Sequence, residues 1–359
     1  MSDTENWLRL AKLESPKKAI DLVDYFGSPE AVFEARADEL AQVDGITKRM
    51  VERIGIIAKE PVDDKLRAME KLNARMITYR DPEYPRNIRQ IYDPPAVLFV
   101  MGDIVEEDRF AVAIIGTRVA TEYGKSMAVK ISKDLAKRGL CVVSGGARGI
   151  DTAAHTAAVQ VGGRTIAVLG SGLDVVYPPE NRGLFARIAQ SGAVISEFVP
   201  GTRPDAWRFP ARNRLVSGLS LGVLVIESKI SGGAMITATH AAEQGRDVWA
   251  LPGGTDSVVS EGPHRLIKEG AKLIESADDI LEELGIEPEE IRREKQAVPR
   301  DLSPEQQSII QVLNLHPKHI DEIIQECRLT PATANSALTL LEMLGLVRRV
   351  PGNAYVRTV

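Results

Sequence analysis

Between residues 111 and 274, short apolar runs alternate with helix-length segments, and that alternation leaves few folds open. The runs fall at 111–115, 140–143, 165–169, 193–196, 222–226, 247–251 and 271–274. They are almost continuously apolar, as expected of strands covered on both faces. The stretches between them, such as 123–138, 150–161 and 234–244, have the length and composition of helices. The pattern predicts an α/β domain built on a Rossmann-like, doubly wound, mostly parallel sheet.

One turn in this pattern carries chemistry. Ser144-Gly145-Gly146-Ala147-Arg148-Gly149 joins a predicted strand to an Ala-rich helix. The N–H groups of a first helical turn lack partners and the helix dipole is positive there. Glycines let an anion approach the backbone, and Arg148 adds a forked cation. The loop reads as a phosphate cradle. Its spacing matches neither a dinucleotide fingerprint nor a P-loop, so no nucleotide cofactor is expected.

Other small-residue turns fall at the same carboxyl edge of the predicted sheet. They are Gly116-Thr117-Arg118, Gly170-Ser171-Gly172, Ser231-Gly232-Gly233 and Pro252-Gly253-Gly254. Arg212-Asn213-Arg214, read as a helix start, could grip phosphates and reach a base edge. The alternative, that its arginines are tied to carboxylates such as Glu197 or Glu227, stays open. Trp207, Phe209 and Tyr177 are the aromatics available for stacking on bases.

The flanks read differently. Residues 1–75 are expected to form a small helical domain. Its segment 40–54 resembles a SAM-like or helix-hairpin-helix unit, and protein contact and DNA contact both stay open for it. The central domain is expected over 76–284, with an irregular Pro-rich lead-in, and an acidic linker over 285–300. Residues 301–359 read as three helices and a β-hairpin, the order of a winged helix. Its third helix is almost uncharged, so protein contact, or weak DNA contact through Arg348 and Arg349 on the wing, stays open beside groove reading by that helix.

The net charge of −5 hides an asymmetry. Residues 275–296 hold nine acidic and three basic residues, a balance of −6, whereas 110–270 hold eighteen basic and thirteen acidic, a balance of +5. A polyanion ligand is therefore compatible with the central domain. Two cysteines, 141 and 327, argue against a disulfide frame or a Cys-based metal site. No secretory leader or membrane-length apolar run is apparent, so a cytoplasmic location is expected and no membrane contact.

Six motifs run in order along the central domain: GTRVATEYG (116–124), VVSGGARGIDTAAH (142–155), TIAVLGSGLDVVYPPEN (165–181), FPARNRLVSGLS (209–220), ESKISGGAMITATHAAEQGRDVWALPG (227–253) and EGPHRLIKEGAKLI (261–274). In these the chain resembles the DNA-processing protein A (DprA/Smf) family. The resemblance implies a non-catalytic protein that binds single-stranded DNA, forms a homodimer and loads the RecA recombinase during natural transformation. Single-strand binding protein is a further implied partner. The family's DNA pocket maps onto Arg118, Ser144 through Gly149, and Arg212 through Arg214. Gly146 departs from the larger apolar residue of many members and is expected to loosen the loop.

The fold is also similar to that of LOG-type phosphoribohydrolases, which act on nucleoside monophosphates through a PGGxGTxxE signature. Here Pro252-Gly253-Gly254 is present, but the following Gly-Thr and the correctly spaced Glu are missing; Glu261 comes too late. His155 and Asp151 could suggest acid–base work, but both fall in the early turns of an Ala-rich helix, where Asp151 is expected to complement the helix N-terminus. Without a Ser/His/Asp arrangement, a metal cluster or a Walker lysine, the expectation is a binding protein with no cofactor or metal, and the hydrolase is the alternative.

Overall fold

The computed structural model describes residues 3–13, 15–286, 302–313, 317–343, 346–350 and 352–357. They divide into two compact units, Met1–Ile286 and Glu287–Val359.

The first unit is built on a nine-stranded sheet: β1 (Ala74–Thr78), β2 (Val97–Gly102), β3 (Ala111–Ile115), β4 (Cys141–Ser144), β5 (Thr165–Val168), β6 (Ala193–Ser196), β7 (Gly222–Val225), β8 (Asp247–Ala250) and β9 (Lys272–Leu273). The spatial order is β1-β2-β6-β5-β4-β3-β7-β8-β9. From β6 to β9 every neighbouring pair is parallel; β2 alone runs against both of its neighbours. The chain winds from β3 out to β6, then crosses to β7 and winds the other way. This is the doubly wound sheet expected from the apolar runs.

Its central strands show why such runs are needed. All residues of β3, β4, β5 and β6 are buried. Helices Glu122–Lys137 and Ile150–Gln160 pack on one another, as do Arg208–Leu219 and Gly233–Glu243.

Two strands were not expected. Residues 76–110 read as an irregular lead-in, yet β1 and β2 pair antiparallel and extend the sheet beyond β6. Pro94-Pro95 precedes β2, a position where a missing N–H costs no ladder bond. Behind it Val97, Leu98, Phe99 and Val100 are almost fully buried.

The N-terminal segment forms six short helices between Asp3 and Leu72. Ser28 Oγ accepts from Ala31 N–H (3.1 Å) and Thr47 Oγ1 from Met50 N–H (3.3 Å), each capping a helix. In the Gly45 turn, the Asp44 carbonyl is taken by Lys18 Nζ at 2.8 Å. These helices share the sheet's core: Leu8, Leu10, Leu22 and Val32 belong to one buried cluster with Val97, Phe99, Leu169 and Phe185.

The second unit has helices Pro304–Val312, Ile320–Cys327 and Pro331–Met343. A three-stranded sheet, β10 (Lys318–His319), β11 (Val347–Val350) and β12 (Ala354–Arg357), lies in the order β10-β12-β11. Ser303 and Gln306 form a capping box at its first helix. Ile309, Ile323, Leu338, Leu341 and Tyr355 make its core. This is a winged helix; the two-residue β10 was too short to read from the sequence. Most of the expected linker, residues 287–300, lies outside the described residues.

Candidate functional site

In a doubly wound sheet, ligands bind beyond the carboxyl ends of strands where the winding direction changes. Here that point lies at β3 and β7. A cleft of about 700 Å³ opens there. Among its walls are Gly116, Thr117 and Arg118 after β3; Gly145 and Ala147 after β4; Phe209, Arg212 and Asn213 on the helix Arg208–Leu219; and Ser231, Gly232 and Gly233 at the start of the helix Gly233–Glu243. An adjoining recess shares Arg118, Gly145, Ala147 and Arg212, and adds Arg148, Gly170 and Ser171. Pro252, Gly253 and Gly254 do not join it; they line a shallow depression with Tyr123.

Four expected residues do not reach the cleft, and three of them serve the loop. Ser144 is fully buried and its Oγ donates to the Ile114 carbonyl at 2.7 Å. Gly149 has φ +74°, and a side-chain carbon there would stand 2.3 Å from the Thr117 carbonyl oxygen. Gly146 has φ +68°, with the Phe185 ring 2.9 Å from where a side-chain carbon would sit. Its expected effect was to loosen the loop; what the structure shows is a positive φ and a buried ring that leave no room for a larger side chain.

Arg214 is the fourth, and its place in the site must be corrected. The helix does not start at Arg212: it starts at Arg208, with Pro210 in its first turn where an N–H is dispensable. Residues two apart in a helix point in nearly opposite directions, about 200° round the axis. Arg214 accordingly turns away from the cleft. Its Nη1 and Nη2 each meet a Glu197 oxygen at 2.7 Å, and its Nε meets Asp93 at 2.7 Å. Burial alone would lower the guanidinium's pKa, but the Glu197 and Asp93 carboxylates hold it above the ordinary value. Of the carboxylates named beforehand, Glu197 is the partner. Glu227 instead accepts from the Thr121 N–H at 2.9 Å and from its hydroxyl, and its carbonyl takes the Thr117 N–H at 2.7 Å.

Arg212 faces the cleft from a buried position. Its Nη1 donates to the Gly145 carbonyl at 2.6 Å and to that of Val168. Burial pushes its pKa down to about 10, Arg118 pushes the same way and Asp151 opposes. Next to it, Asn213 Nδ2 donates to the Gly233 carbonyl at 3.3 Å and ties this wall to the opposite helix.

The exposed cations differ in their freedom. Arg118 lies 5.3 Å from the Phe209 ring centroid, and among the described residues no carboxylate pairs with it. Arg148 is held by Glu180, with Nη2 and Oε2 3.2 Å apart; that hydrogen bond raises the Arg148 pKa. Lys229, an exposed cation on the cleft wall, was missed. Its signal was visible as a lysine between a strand end and the small-residue turn 231–233. Tyr177 and Phe209 also line the cleft, their rings 5.6 Å apart, while Trp207 stands 60% exposed on the same helix approach.

The groups that could suggest acid–base work are placed otherwise. His155 is fully buried, with Nδ1 2.7 Å from Thr165 Oγ1, and burial holds its pKa down at about 3. Asp151 borders the cleft but accepts from the Ala147 N–H at 3.2 Å. Glu261 begins the helix Glu261–Lys268, away from the cleft lining. Among the described residues no group of His, Cys, Asp and Glu could hold a metal ion, and no helix is long and apolar enough to cross a membrane.

Comparison with known proteins gives the chain a family and a fold. The family model described as DNA recombination-mediator protein A matches residues 75–285, and that of the DprA winged helix domain matches residues 293–353. The Smf protein of Synechocystis is 34% identical, over 99% of this chain and 99% of its own. The DNA processing protein DprA of Bacillus subtilis is 43% identical, over 61% of this chain and 74% of its own. The solved structure of DNA processing protein A from Streptococcus pneumoniae has a TM-score of 0.69 at 36% identity, covering 79% of this chain and 98% of that one. That of the Helicobacter pylori protein, described for its single-stranded DNA binding mode, has a TM-score of 0.53 at 31% identity, covering 59% of this chain and 95% of that one.

Proposed function

The chain belongs to the DNA recombination-mediator protein A family, and we propose that its cleft binds the backbone of single-stranded DNA without converting it. One observation carries this reading. The cations Arg118 and Lys229, without a carboxylate partner among the described residues, the glycine turns at 116, 145 and 232–233, and the faces of Tyr177 and Phe209 line a single cleft. Cations and backbone amides suit phosphates, and aromatic faces suit unpaired bases. The binding mode named for the Helicobacter pylori relative points the same way. No observation favours the hydrolase alternative, because the PGG turn opens onto a different part of the surface.

A cleft that grips a strand and transforms nothing gains its use by passing that strand on. The partner we propose is RecA, loaded onto strands coated with single-strand binding protein, with the chain acting as a cytoplasmic homodimer. The proposed contact region for RecA and for the second copy is the surface of residues 234–244 and 264–269 that faces away from the cleft.

Fluorescence polarisation with labelled single- and double-stranded oligonucleotides tests the binding. Affinity for single strands should exceed that for duplex and fall as salt rises. A salt-independent affinity removes the phosphate reading. In strand-exchange assays the full-length chain should shorten the RecA lag on coated strands, and a chain ending near Pro299 should do so too. No stimulation by the full chain refutes the loader role; loss on truncation alone moves the partner site to residues 301–359. AMP and ATP incubated with the protein should be recovered intact by chromatography. Free base that disappears in Glu261→Ala would restore the hydrolase.

A further inference from the structure

The innermost anion position of the glycine loop is already held by the protein itself. Asp151 is the second residue of the helix Ile150–Gln160, buried at the cleft wall, with Oδ2 on the Ala147 N–H. A side-chain carbon at position 145 would stand 2.9 Å from that oxygen and 2.7 Å from Arg212 Nη2. Carboxylate and guanidinium thus flank the Gly145 backbone. Arg212 Nη1 spends its donors on carbonyl oxygens, and the two charges attract through space.

We infer that Asp151 is a resident counter-anion that sets which phosphate the cradle accepts, disfavouring the doubly charged phosphomonoester of a free nucleotide or 5′-phosphorylated end relative to the singly charged phosphodiester within a strand. The inference rests on the cleft being a phosphate cradle. A fixed charge acts on a ligand in proportion to the ligand's own charge, and a buried one is little screened by salt. Removing it therefore helps a dianion by the square of the factor by which it helps a monoanion.

The charged and titratable groups around Asp151 leave this role to it. Arg212 comes from the helix Arg208–Leu219, Arg118 from the turn after β3, Lys229 from the turn after β7 and Tyr177 from the turn after β5. Arg148 and Glu180 pair at the edge. His155, one turn further along Asp151's own helix, is kept neutral by burial. Burial also raises Asp151 to about 6, with Arg212 and the Ala147 N–H opposing. The carboxylate is ionised at neutral pH, and an arriving phosphate drives it toward protonation. Lower pH therefore removes the repulsion and tightens binding.

The test uses the full-length chain with Asp151→Asn, whose carbonyl oxygen can still accept from Ala147. The probes are unphosphorylated oligothymidine, which does not titrate in this range, and thymidine 5′-monophosphate as competitor well above pH 6, where it carries close to two charges. Asp151→Asn should tighten the oligonucleotide about threefold and the monophosphate about tenfold. Wild-type affinity for oligothymidine should rise as pH falls through about 6, and that of Asp151→Asn should stay flat. Equal gains for both probes, or parallel pH profiles, overturn the inference. If the variant does not fold, the wild-type profile decides, and a flat one overturns it. Failure of the wild type to bind oligothymidine would instead remove the cradle reading itself.

Discussion

Arg214→Ala is expected to lower the free energy of unfolding by about 3–5 kcal/mol, the usual cost of removing one member of a buried ion pair. The side chain is 8% exposed, and its loss strands the Glu197 carboxylate, its side chain also 8% exposed, without its bidentate partner. Asp93, more exposed, can turn to water. The affinity of the remaining folded protein for single strands should be unchanged, because Arg214 points away from the cleft. Urea unfolding and fluorescence polarisation on the same preparation check both halves. A stable variant that has lost DNA binding would return Arg214 to the site.

Arg118→Ala is expected to do the reverse. It should leave the unfolding midpoint within experimental scatter and weaken single-strand binding about tenfold or more at low salt. The residue is exposed, and among the described residues no carboxylate competes for it, so its charge is available to a phosphate. The slope of log affinity against log salt should fall by about 1, one released counterion. Arg148→Ala should cost less, since Glu180 already occupies that guanidinium. An Arg118→Ala variant that binds like wild type across the salt series would contradict the placement of DNA in this cleft.

These contrasts mark where sequence reading worked and where it stopped. Strands β3 to β8 were legible because buried parallel strands need uninterrupted apolar runs, which 111–115 and 193–196 supply end to end. Strand β1 was not, because Ala74-Arg75-Met76-Ile77-Thr78 mixes polar and apolar residues at a sheet edge, and β2 stood behind two prolines. The glycine turns could be assigned to one edge of the sheet from topology alone. Distinguishing Arg212 from Arg214 required the helix start: with it at Arg208 both lie well inside the helix and point about 200° apart, one into the cleft and one away. Pro210, with its preference for the first helical turn, was the available signal. Lys229 and Asp151 show a different limit. Each stood in a quoted motif, and the place of Asp151 at the helix N-terminus could be read from it; that its oxygen takes the Ala147 N–H, and that Lys229 has no partner among the described residues, came only with the folded chain.

The ties across the cleft have a kinetic consequence. Arg212 bonds the helix Arg208–Leu219 to the ends of β4 and β5, Asn213 bonds it to Gly233, and Glu227 fixes the turn at Thr117. In the proposed binding, a strand arriving at walls so fastened would meet a mould already cast. No slow rearrangement need follow contact, so the speed of capture is left to diffusion and to the long reach of charge. Ionic strength then governs how often a strand is caught as well as how long it stays.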